Sequence, residues 1–439
     1  MLLCLVAYPP LSAQDYVRMS ERTIMGTARY VGMSGAMTAV GGDPSAARDN
    51  PAGLGLYRRS EATLTADYAS DRTINTQETG PDYKRIVMLP QAAWVLSLVT
   101  NNNTGEGVLF HNFMFSFNRL HSYYRNMYGA GGAGPSLGAL IATTGVDLGM
   151  PYCSDRYNIG HNLSLQERGY IHEYAFDWAT NISNRWYVGL GLHIQSYALA
   201  SDAVYFEAFS TLNADNVAFS NENSTYLYYS GASCNLSAGV LYRPTNWLRL
   251  GFSVQTPSLG SLNLNSYGKL IAMTDSLRKS FAPDITDRLR DFHMPLYTST
   301  SLAFQLGSIG MIALQYDYSH QVGKEDMHSL RAGLEIVPVA GMYINAGYAY
   351  ESPFINSMDR RVGLDPTLDR QDAYFQRLRR TQYASVALGY RGDYLIFQMA
   401  YQYRWQNIDL FAHENAAPYD MHTTTHRIVL TLGWHRAWP

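Results

Sequence analysis

The chain has 439 residues, of which 16% are charged and 13% are aromatic, and its formal net charge is −3. The charged fraction lies well below the roughly 25% of soluble domains, and no stretch approaches the roughly 18 unbroken apolar residues of a membrane-spanning helix. This composition argues against a string of ordinary soluble domains and against a helical membrane protein, and the small net charge gives no reason to expect a nucleic-acid partner.

The N-terminal segment predicts export. Residues 1–8 are apolar, and Leu11-Ser12-Ala13 before Gln14 resembles a cleavage site with small residues. We therefore expect residues 1–13 to be a signal peptide; basic residues are missing before it, so either the true start lies upstream or the signal is weak. Cys153 and Cys234 are isolated, a pattern that predicts neither a zinc site nor a disulfide framework.

The next segment, 14–58, is rich in glycine and alanine and lacks a period-two pattern. From residue 60 onward, apolar and polar residues alternate with a period of two, which indicates β-strands. In residues 61–68, for example, Leu64 and Tyr68 share one face while Asp67 lies on the other.

We predict fourteen strands of about ten residues, the even number and the length that a closed transmembrane β-barrel requires. They are expected near residues 60–69, 90–100, 107–119, 168–180, 186–198, 226–242, 247–257, 296–307, 309–319, 328–338, 341–351, 381–392, 394–405 and 424–435. Short connections, such as 244–246 and 391–393, alternate with long ones at 70–89, 120–167, 199–225, 258–295, 320–327, 352–380 and 406–423. Insertion into an outer membrane sorts loops in this way, with short turns on the periplasmic side.

The motif Asn50-Pro51-Ala52-Gly53-Leu54 stands about ten residues before the first predicted strand and follows Gly41-Gly42-Asp43. With the hairpin at 242–251 and the late-strand segments 331–335 and 346–350, it resembles the FadL/TodX family of outer-membrane transporters, in the branch common in Bacteroidetes. The resemblance implies an antiparallel all-β barrel, residues 59–439, with a small N-terminal hatch, residues 14–58, inside its lumen.

The same resemblance implies a function. In that family, hydrophobic molecules such as long-chain fatty acids or aromatic hydrocarbons are captured by extracellular loops. They pass into a pocket above the hatch, and leave when the hatch shifts or through a gap in the wall. We therefore expect a passive transporter in the outer membrane of a Gram-negative bacterium, with membrane lipid and a hydrophobic small molecule as its partners.

Two sets of residues are candidates for the ligand route. Residues 134–150 are unusually apolar for an exposed loop, and one face of a short helix there would carry Leu137, Leu140, Ile141 and Val146. This segment predicts either a capture loop or a lid that binds nothing.

Charged residues on the predicted inner face form the second set. Arg249, Arg331, Glu335 and Arg404 are the leading candidates, alongside Asp67, Glu173, Asp177, Asp317 and Glu351. A lumen cation could receive a carboxylate. Alternatively, these charges neutralise one another and hold the barrel open, which is the interpretation that the sequence favours.

No pattern points to catalytic residues, a metal site or a cofactor. His422 and His426, for example, lie about 13 Å apart if they are on one strand. We therefore predict that the protein is not an enzyme. The alternative to transport is an accessory barrel, held as a subunit of a larger protein complex of the cell envelope.

Overall fold

The computed structural model describes residues 19–75, 82–100, 105–137, 157–209, 219–274, 278–281, 286–320, 326–352, 374–413 and 415–436. The predicted signal peptide, 1–13, lies outside these residues. No helix among the described residues is both long and apolar enough to cross a membrane.

One antiparallel sheet dominates the molecule. Its strands are β1 (Ser60–Asn75), β2 (Asp82–Val99), β3 (Val108–Gly131), β6 (Gly160–Ile182), β7 (Trp186–Phe209), β8 (Phe219–Tyr242), β9 (Leu248–Gln255), β10 (Leu259–Thr274), β11 (Arg278–Phe281), β12 (Thr286–Phe292), β13 (Leu296–Gln305), β14 (Gly310–His320), β15 (Met327–Val339), β16 (Met342–Glu351), β17 (Phe375–Arg391), β18 (Leu395–Phe411) and β19 (Tyr419–Arg436). A separate two-residue ladder joins β4 (Gly134–Pro135) to β5 (Tyr157–Asn158).

The sheet closes into a barrel because β19 pairs with β1 along the whole of β1, from Ser60–Arg436 to Asn75–Met421. Each strand of the ring pairs with its neighbour in sequence, except that β3 pairs with β6 and β9 with β13. Strands β10 to β12 extend the sheet beyond this ring, and fourteen strands remain in the closed circle. The predicted fold class and strand number are confirmed.

Side-chain alternation sets the two faces of the wall. Leu64 and Tyr68 are exposed on the outside, whereas Asp67 is buried inside, as the period-two pattern predicts. The outward face carries a belt of exposed aromatic and aliphatic side chains, including Trp94, Phe115 and Phe176. Such a belt is the surface that a barrel presents to lipid.

The predicted long connections are partly wrong. Strand β3 continues to Gly131 and β6 begins at Gly160, so much of 120–167 is strand, and β7 and β8 extend into 199–225 in the same way. Backbone hydrogen bonding between neighbouring strands continues beyond the apolar belt. There the outward side chains meet water instead of lipid, so the strands need not show the apolar–polar alternation on which the sequence prediction relied. We call the end of the barrel with these extensions the loop rim and the opposite end the turn rim.

The N-terminal segment fills the lumen. It contains α1 (Ala28–Gly32), α2 (Pro44–Asp49) and a 3-10 helix (Pro51–Leu56), and nearly all of its side chains from Thr23 to Gly55 are buried. Residues of α1 pack against Ala387 of β17, Ala400 of β18 and Val429 of β19. We call residues 19–57 the hatch.

Candidate functional site in the barrel lumen

Two interlocked helix caps fix the first half of the hatch. The hydroxyl of Thr27 accepts from the backbone N–H of Tyr30 at 3.2 Å and caps α1, and Asp43 accepts from the N–H of Ser45 at 2.9 Å and caps α2. The caps are joined, since Thr27 Oγ1 donates to Asp43 Oδ2 at 2.7 Å. A side-chain cap satisfies N–H groups that a helix leaves free, so each helix start is held by the other.

The Asn-Pro-Ala-Gly-Leu motif forms the end of the hatch. Asn50 is fully buried, and its side-chain oxygen accepts from the N–H of Ala52 at 3.1 Å. Its Nδ2 donates to the carbonyl of Thr38 at 2.9 Å and, more weakly, to that of Val240 on β8 at 3.4 Å. One amide therefore caps the 3-10 helix, ties two parts of the hatch together and touches the wall.

The wall accommodates this motif with glycine. A Cβ atom at Gly239 would overlap Asn50 Oδ1, and one at Gly189 would overlap the backbone of Pro51 and Ala52. Two neighbouring strands, β7 and β8, therefore lack side chains at the register pair Gly189–Gly239 where the motif lies against them.

Ion pairs fasten the hatch to the opposite wall. Arg29 of α1 makes two hydrogen bonds to Glu335 of β15, at 2.7 and 3.0 Å. Arg331, on the same strand, contacts Asp317 of β14 at 2.9 Å and Asp49 of the hatch at 3.6 Å. These two candidate residues, Arg331 and Glu335, therefore point into the lumen and bind hatch side chains.

The other two candidates are also engaged. Arg404 of β18 lies 3.4 Å from Glu21 of the hatch and donates to Gln406 at 2.8 Å. Arg249 of β9 donates to the backbone carbonyl of Val40 at 2.9 Å. The four leading lumen candidates from the sequence thus all contact the hatch directly.

Tyr30 lies at the centre of this network. Its hydroxyl donates to Asp49 Oδ2 and lies 3.0 Å from Arg48 Nη2 and 3.3 Å from Arg331 Nη1. Burial, and then the neighbouring Asp49 carboxylate, raise the pKa of Tyr30 well above its ordinary value. The phenol therefore stays protonated and keeps its hydrogen bond to Asp49 at any physiological pH.

The sequence analysis did not identify Arg22, a further cation in the lumen. It donates through Nη1 to Gln255 at 2.9 Å, and its guanidinium carbon lies 3.8 Å above the ring of Tyr297. Its Nε and Nη2 atoms are buried without a hydrogen-bond partner among the described residues. No local motif distinguishes Arg22 from the other arginines of the hatch, so the sequence offered no signal for it.

Arg22 lines two cavities between the hatch and the wall, and Met327 and Glu351 are shared by both. Their volumes are about 40 and 50 Å³, which is room for a few water molecules and not for a long acyl chain. The Arg22 guanidinium is thus a cation in a small, polar space between the hatch and the wall.

An apolar cluster closes the loop-rim end of the lumen. It is built from inward-facing side chains of the strand extensions, and we call it the lid cluster: Met19, Leu120, Tyr123, Met127, Leu137, Leu163, Leu165, Ile171, Tyr197, Leu199, Ala203, Tyr205, Leu227, Tyr229, Leu262, Leu264, Leu270, Phe292, Met294, Tyr374, Ile408, Leu410, Ala412, Ala416, Tyr419 and Met421. Leu137 of the expected capture loop belongs to it. Leu140, Ile141 and Val146 lie outside the described residues.

The lid cluster joins opposite sides of the mouth. Tyr419, at the start of β19, hydrogen-bonds His161 of β6, and its ring lies against Gly129 of β3. The hydroxyls of Ser201 on β7 and Tyr374 also meet. The extensions of β3, β6 and β7 therefore lean across the loop rim and pack on β17 to β19.

The wall is interrupted between β2 and β3. The ladder between β2 and β3 runs from Val99–Phe110 to Gln91–Asn118 and ends there, although both strands continue. Pro90, which has no N–H, lies at the break, and Leu120 is an extra residue in the pairing of β3 with β6. Beyond this point, β2 stays paired with β1 and β3 with β6, so the seam between β2 and β3 has no backbone hydrogen bonds.

The inner side of this break is apolar and is attached to the hatch. Met25 of the hatch packs with Ala69 and Met88 of the wall. The N–H of Thr23 donates to the carbonyl of the extra residue Leu120 at 2.8 Å. The start of the hatch is therefore attached to the edge of the break by a backbone hydrogen bond and an apolar contact.

Sequence comparisons leave the chain without a match: no protein-family model matches it, and neither does any curated protein. Solved structures do match. A FadL homologue from Pseudomonas aeruginosa aligns with a TM-score of 0.57 and 12% identity, over 96% of this chain and 100% of that one. The Pseudomonas putida toluene transporter TodX aligns with a TM-score of 0.55 and 11% identity, over 95% and 100%.

The CymD monoaromatic hydrocarbon channel gives a TM-score of 0.53 and 12% identity, covering 97% of this chain and 99% of that one. At such identities the likeness concerns the fold. It confirms the fold resemblance predicted from the hatch motif, because the alignments cover nearly the whole length of each protein.

Proposed function

We propose that the protein is a passive channel of the bacterial outer membrane for hydrophobic small molecules, including long-chain fatty acids. The observation that carries this proposal is the lid cluster, a continuous apolar interior at the loop rim, directly above a hatch that fills the lumen. The solved structures with this fold include channels for monoaromatic hydrocarbons and a toluene transporter. Residues 1–13 act as the export signal, residues 14–58 form the segment that contains the hatch, and residues 59–439 form the barrel.

In this proposal, residues 134–150 capture the ligand, with Leu137, Leu140, Ile141 and Val146 as its first apolar contacts. The ligand then enters among the lid-cluster side chains, which must separate to admit it. Burying apolar surface drives this step at about 25 cal/mol for each Å² removed from water. The ligand leaves through the seam between β2 and β3, whose inner edge is lined by Met25 and Met88.

Arg22 is the group that receives the head of a carboxylate ligand. Two of its nitrogen atoms have no partner among the described residues, whereas Arg331, Arg404 and Arg249 already contact acceptors of the hatch. Two charge-assisted hydrogen bonds to one carboxylate, from Nε and Nη2, would satisfy both nitrogens. Of the two chemical classes carried by such channels, fatty acids and hydrocarbons, only the first needs this residue.

One observation favours a second candidate, a closed accessory barrel of an envelope complex. The hatch is bound to the wall by ion pairs, and the two cavities beside Arg22 hold only a few waters. A barrel whose lumen is filled by its own hatch can serve as a structural subunit without binding a ligand.

Uptake by cells tests the proposal. The chain is expressed in a bacterium that lacks its own outer-membrane fatty-acid channel, and entry of radiolabelled oleate and toluene is measured. We expect faster entry than in cells with an empty vector, and a loss of that gain in the Leu140→Asp/Ile141→Asp variant. Equal rates with and without a correctly inserted barrel, together with co-purifying envelope proteins, would instead support the accessory barrel.

A further inference from the structure

Three basic side chains meet at the seam between β2 and β3, at the loop-rim end of the aromatic belt. Arg119 of β3 follows Phe115 and Phe117 on the outward face, and Arg168 of β6 follows Phe176 and Tyr174 on the same face of its strand. Lys84 of β2 lies on the lumen-facing side of its strand with Ile86 and Met88, but its side chain reaches across the broken seam, because its Nζ lies 4.3 Å from the ring centre of Tyr124. Tyr124 is the register partner of Arg168, and Arg119 extends in the same direction, with its guanidinium carbon 6.0 Å from the ring centre of Tyr170, so the three cations lie near one another. We call Lys84, Arg119 and Arg168 the external cation cluster.

The hydrogen-bond partners of these cations are neutral. Lys84 donates to Asn126 Oδ1 at 3.0 Å, and Arg168 donates to Gln166 at 3.3 Å. Arg119 Nε donates to Nε2 of His172 at 3.1 Å; since a guanidinium only donates, this ring nitrogen accepts, and the imidazole carries no charge. Within the described part of the chain, none of the three forms an ion pair with a carboxylate, although Asp71 is the register partner of Lys84.

Other cations near the loop rim behave differently. Arg377 of β17 lies 2.6 Å from Asp409, and Arg379 contacts both Asp409 and Asp420. The wall therefore pairs these two cations directly with carboxylates, whereas no described carboxylate lies within ion-pair distance of the three cations on the β2–β3–β6 side. Asp67 and Asp82 attract Arg119 and Lys84 only from farther away. Keeping like charges together is unfavourable unless an anion accompanies them.

The aromatic side chains below the cluster supply the second part of a binding surface. Tyr170 and His172 stack with their ring centres 3.7 Å apart, and Phe117 meets His172 edge-on at 4.9 Å. Flat aromatic surface at the border of the apolar belt is where lipid acyl chains meet their head groups. Positive charge thus lies above an apolar platform, the arrangement that complements an anionic lipid.

We propose that the external cation cluster binds the phosphate group of an outer-leaflet lipid, whose acyl chains lie on the outward face of Phe117, Tyr170 and Tyr174. Lys84 and Arg119 stand on the two sides of the unpaired seam, so the bound phosphate bridges the break in the wall from outside. This inference rests on the membrane location given in the proposed function. It does not depend on whether anything is transported.

Native mass spectrometry of the full chain in detergent tests the proposal. The purified barrel is titrated with phosphatidic acid and, separately, with diacylglycerol that carries the same acyl chains. We expect the wild type to bind phosphatidic acid in preference to diacylglycerol. In the Lys84→Gln/Arg119→Gln/Arg168→Gln variant this affinity should fall by about a hundredfold, since each Lys or Arg near an anionic lipid surface contributes roughly fivefold.

The matched control removes three cations from the turn rim: Arg59→Gln/Arg185→Gln/Arg243→Gln. It changes the net charge equally and should keep wild-type affinity. If the triple variant does not fold, Arg168→Gln alone is used, because this side chain is exposed. Equal binding of the two lipids, equal affinity of wild type and variant, or equal losses in variant and control would each overturn the proposal. Because uptake is not measured here, a negative uptake result leaves this test intact.

Discussion

Arg29 of the hatch and Glu335 of β15 form a two-point ion pair across the barrel lumen, with N–O distances of 2.7 and 3.0 Å. Both side chains are largely buried, and Asn345 donates a further hydrogen bond to the same carboxylate at 3.2 Å. The guanidinium also lies within 3.5 Å of the Gly41 and Gly42 carbonyls. The pair therefore fixes the inner fold of the hatch as well as its position on the wall.

Replacing Glu335 with Gln should loosen the hatch. Removing one partner of a buried pair leaves the other charge uncompensated, at a cost of about 3–5 kcal/mol. We expect faster proteolysis of residues 19–57 in the folded barrel, measured by mass spectrometry of the released peptides. Arg377→Gln, which breaks a half-exposed pair at the loop rim, should change the rate little; equal effects of both variants would contradict a specific role for the lumen pair.

The hatch motif makes a prediction about Asn50. In Asn50→Asp the cap on Ala52 is kept, but the donor to Thr38 and Val240 is replaced by an oxygen that faces two carbonyl oxygens. A buried group left without its partner costs about 1–3 kcal/mol. Thermal unfolding in detergent should show a lower midpoint than in the wild type, and the decrease should exceed that of Asn50→Ala. A midpoint for Asn50→Asp at or above that of Asn50→Ala would show that donation by Nδ2 is unimportant.

Wall glycines are predicted to be required for seating the hatch. Gly239→Ala places a methyl group where Asn50 Oδ1 lies, so the motif must move away from β8. Gly132→Ala is the matched control, because a Cβ there has nothing within 4 Å. Hydrogen exchange of residues 50–56 should speed up in Gly239→Ala and not in Gly132→Ala. Unchanged exchange in both variants would mean that the motif does not depend on this close approach.

A disulfide should lock the lid cluster. The Gly129→Cys/Tyr419→Cys pair places two Cβ atoms within disulfide reach, because a Cβ on Gly129 would overlap the Tyr419 ring. With Cys153 and Cys234 replaced by Ser, the oxidised protein should lose most oleate uptake and recover it on reduction. Each single cysteine variant controls for the substitutions. Full uptake by the oxidised double variant would exclude a route through this side of the lid cluster.

Replacing Arg22 should affect uptake of carboxylate ligands and of hydrocarbons differently. In Arg22→Met the stacking volume over Tyr297 is retained, but the unpartnered donors are lost. Uptake of oleate should fall by at least about tenfold, because each lost charge-assisted hydrogen bond contributes about 1.5–3 kcal/mol, while toluene uptake stays as in the wild type. Arg48→Met, which removes a lumen cation already paired with Asp49, provides the comparison. A parallel loss of both ligands would assign Arg22 to hatch structure.

Much of the fold follows from the sequence alone. The alternation of Leu64 and Tyr68 with Asp67 is a property of adjacent residues, so it fixes which side chains face lipid and where each strand crosses the apolar belt. The number of such segments then predicts fourteen strands, and the family resemblance of Asn50-Pro51-Ala52-Gly53-Leu54 implies a hatch before the first of them. These patterns are formed by residues that lie close together along the chain, so a single sequence is enough to detect them.

The tertiary structure decided what depends on contacts between distant residues. The partners Arg29 and Glu335 are separated by 306 positions, and only the closure of the barrel and the seating of the hatch bring them together. The same holds for the unpartnered nitrogens of Arg22, the seam that ends at Gln91 and Asn118, and the cations around Arg119. Strand identity is determined by neighbours along the chain, whereas pairing and burial are determined by how fourteen strands and a hatch fill one enclosed volume.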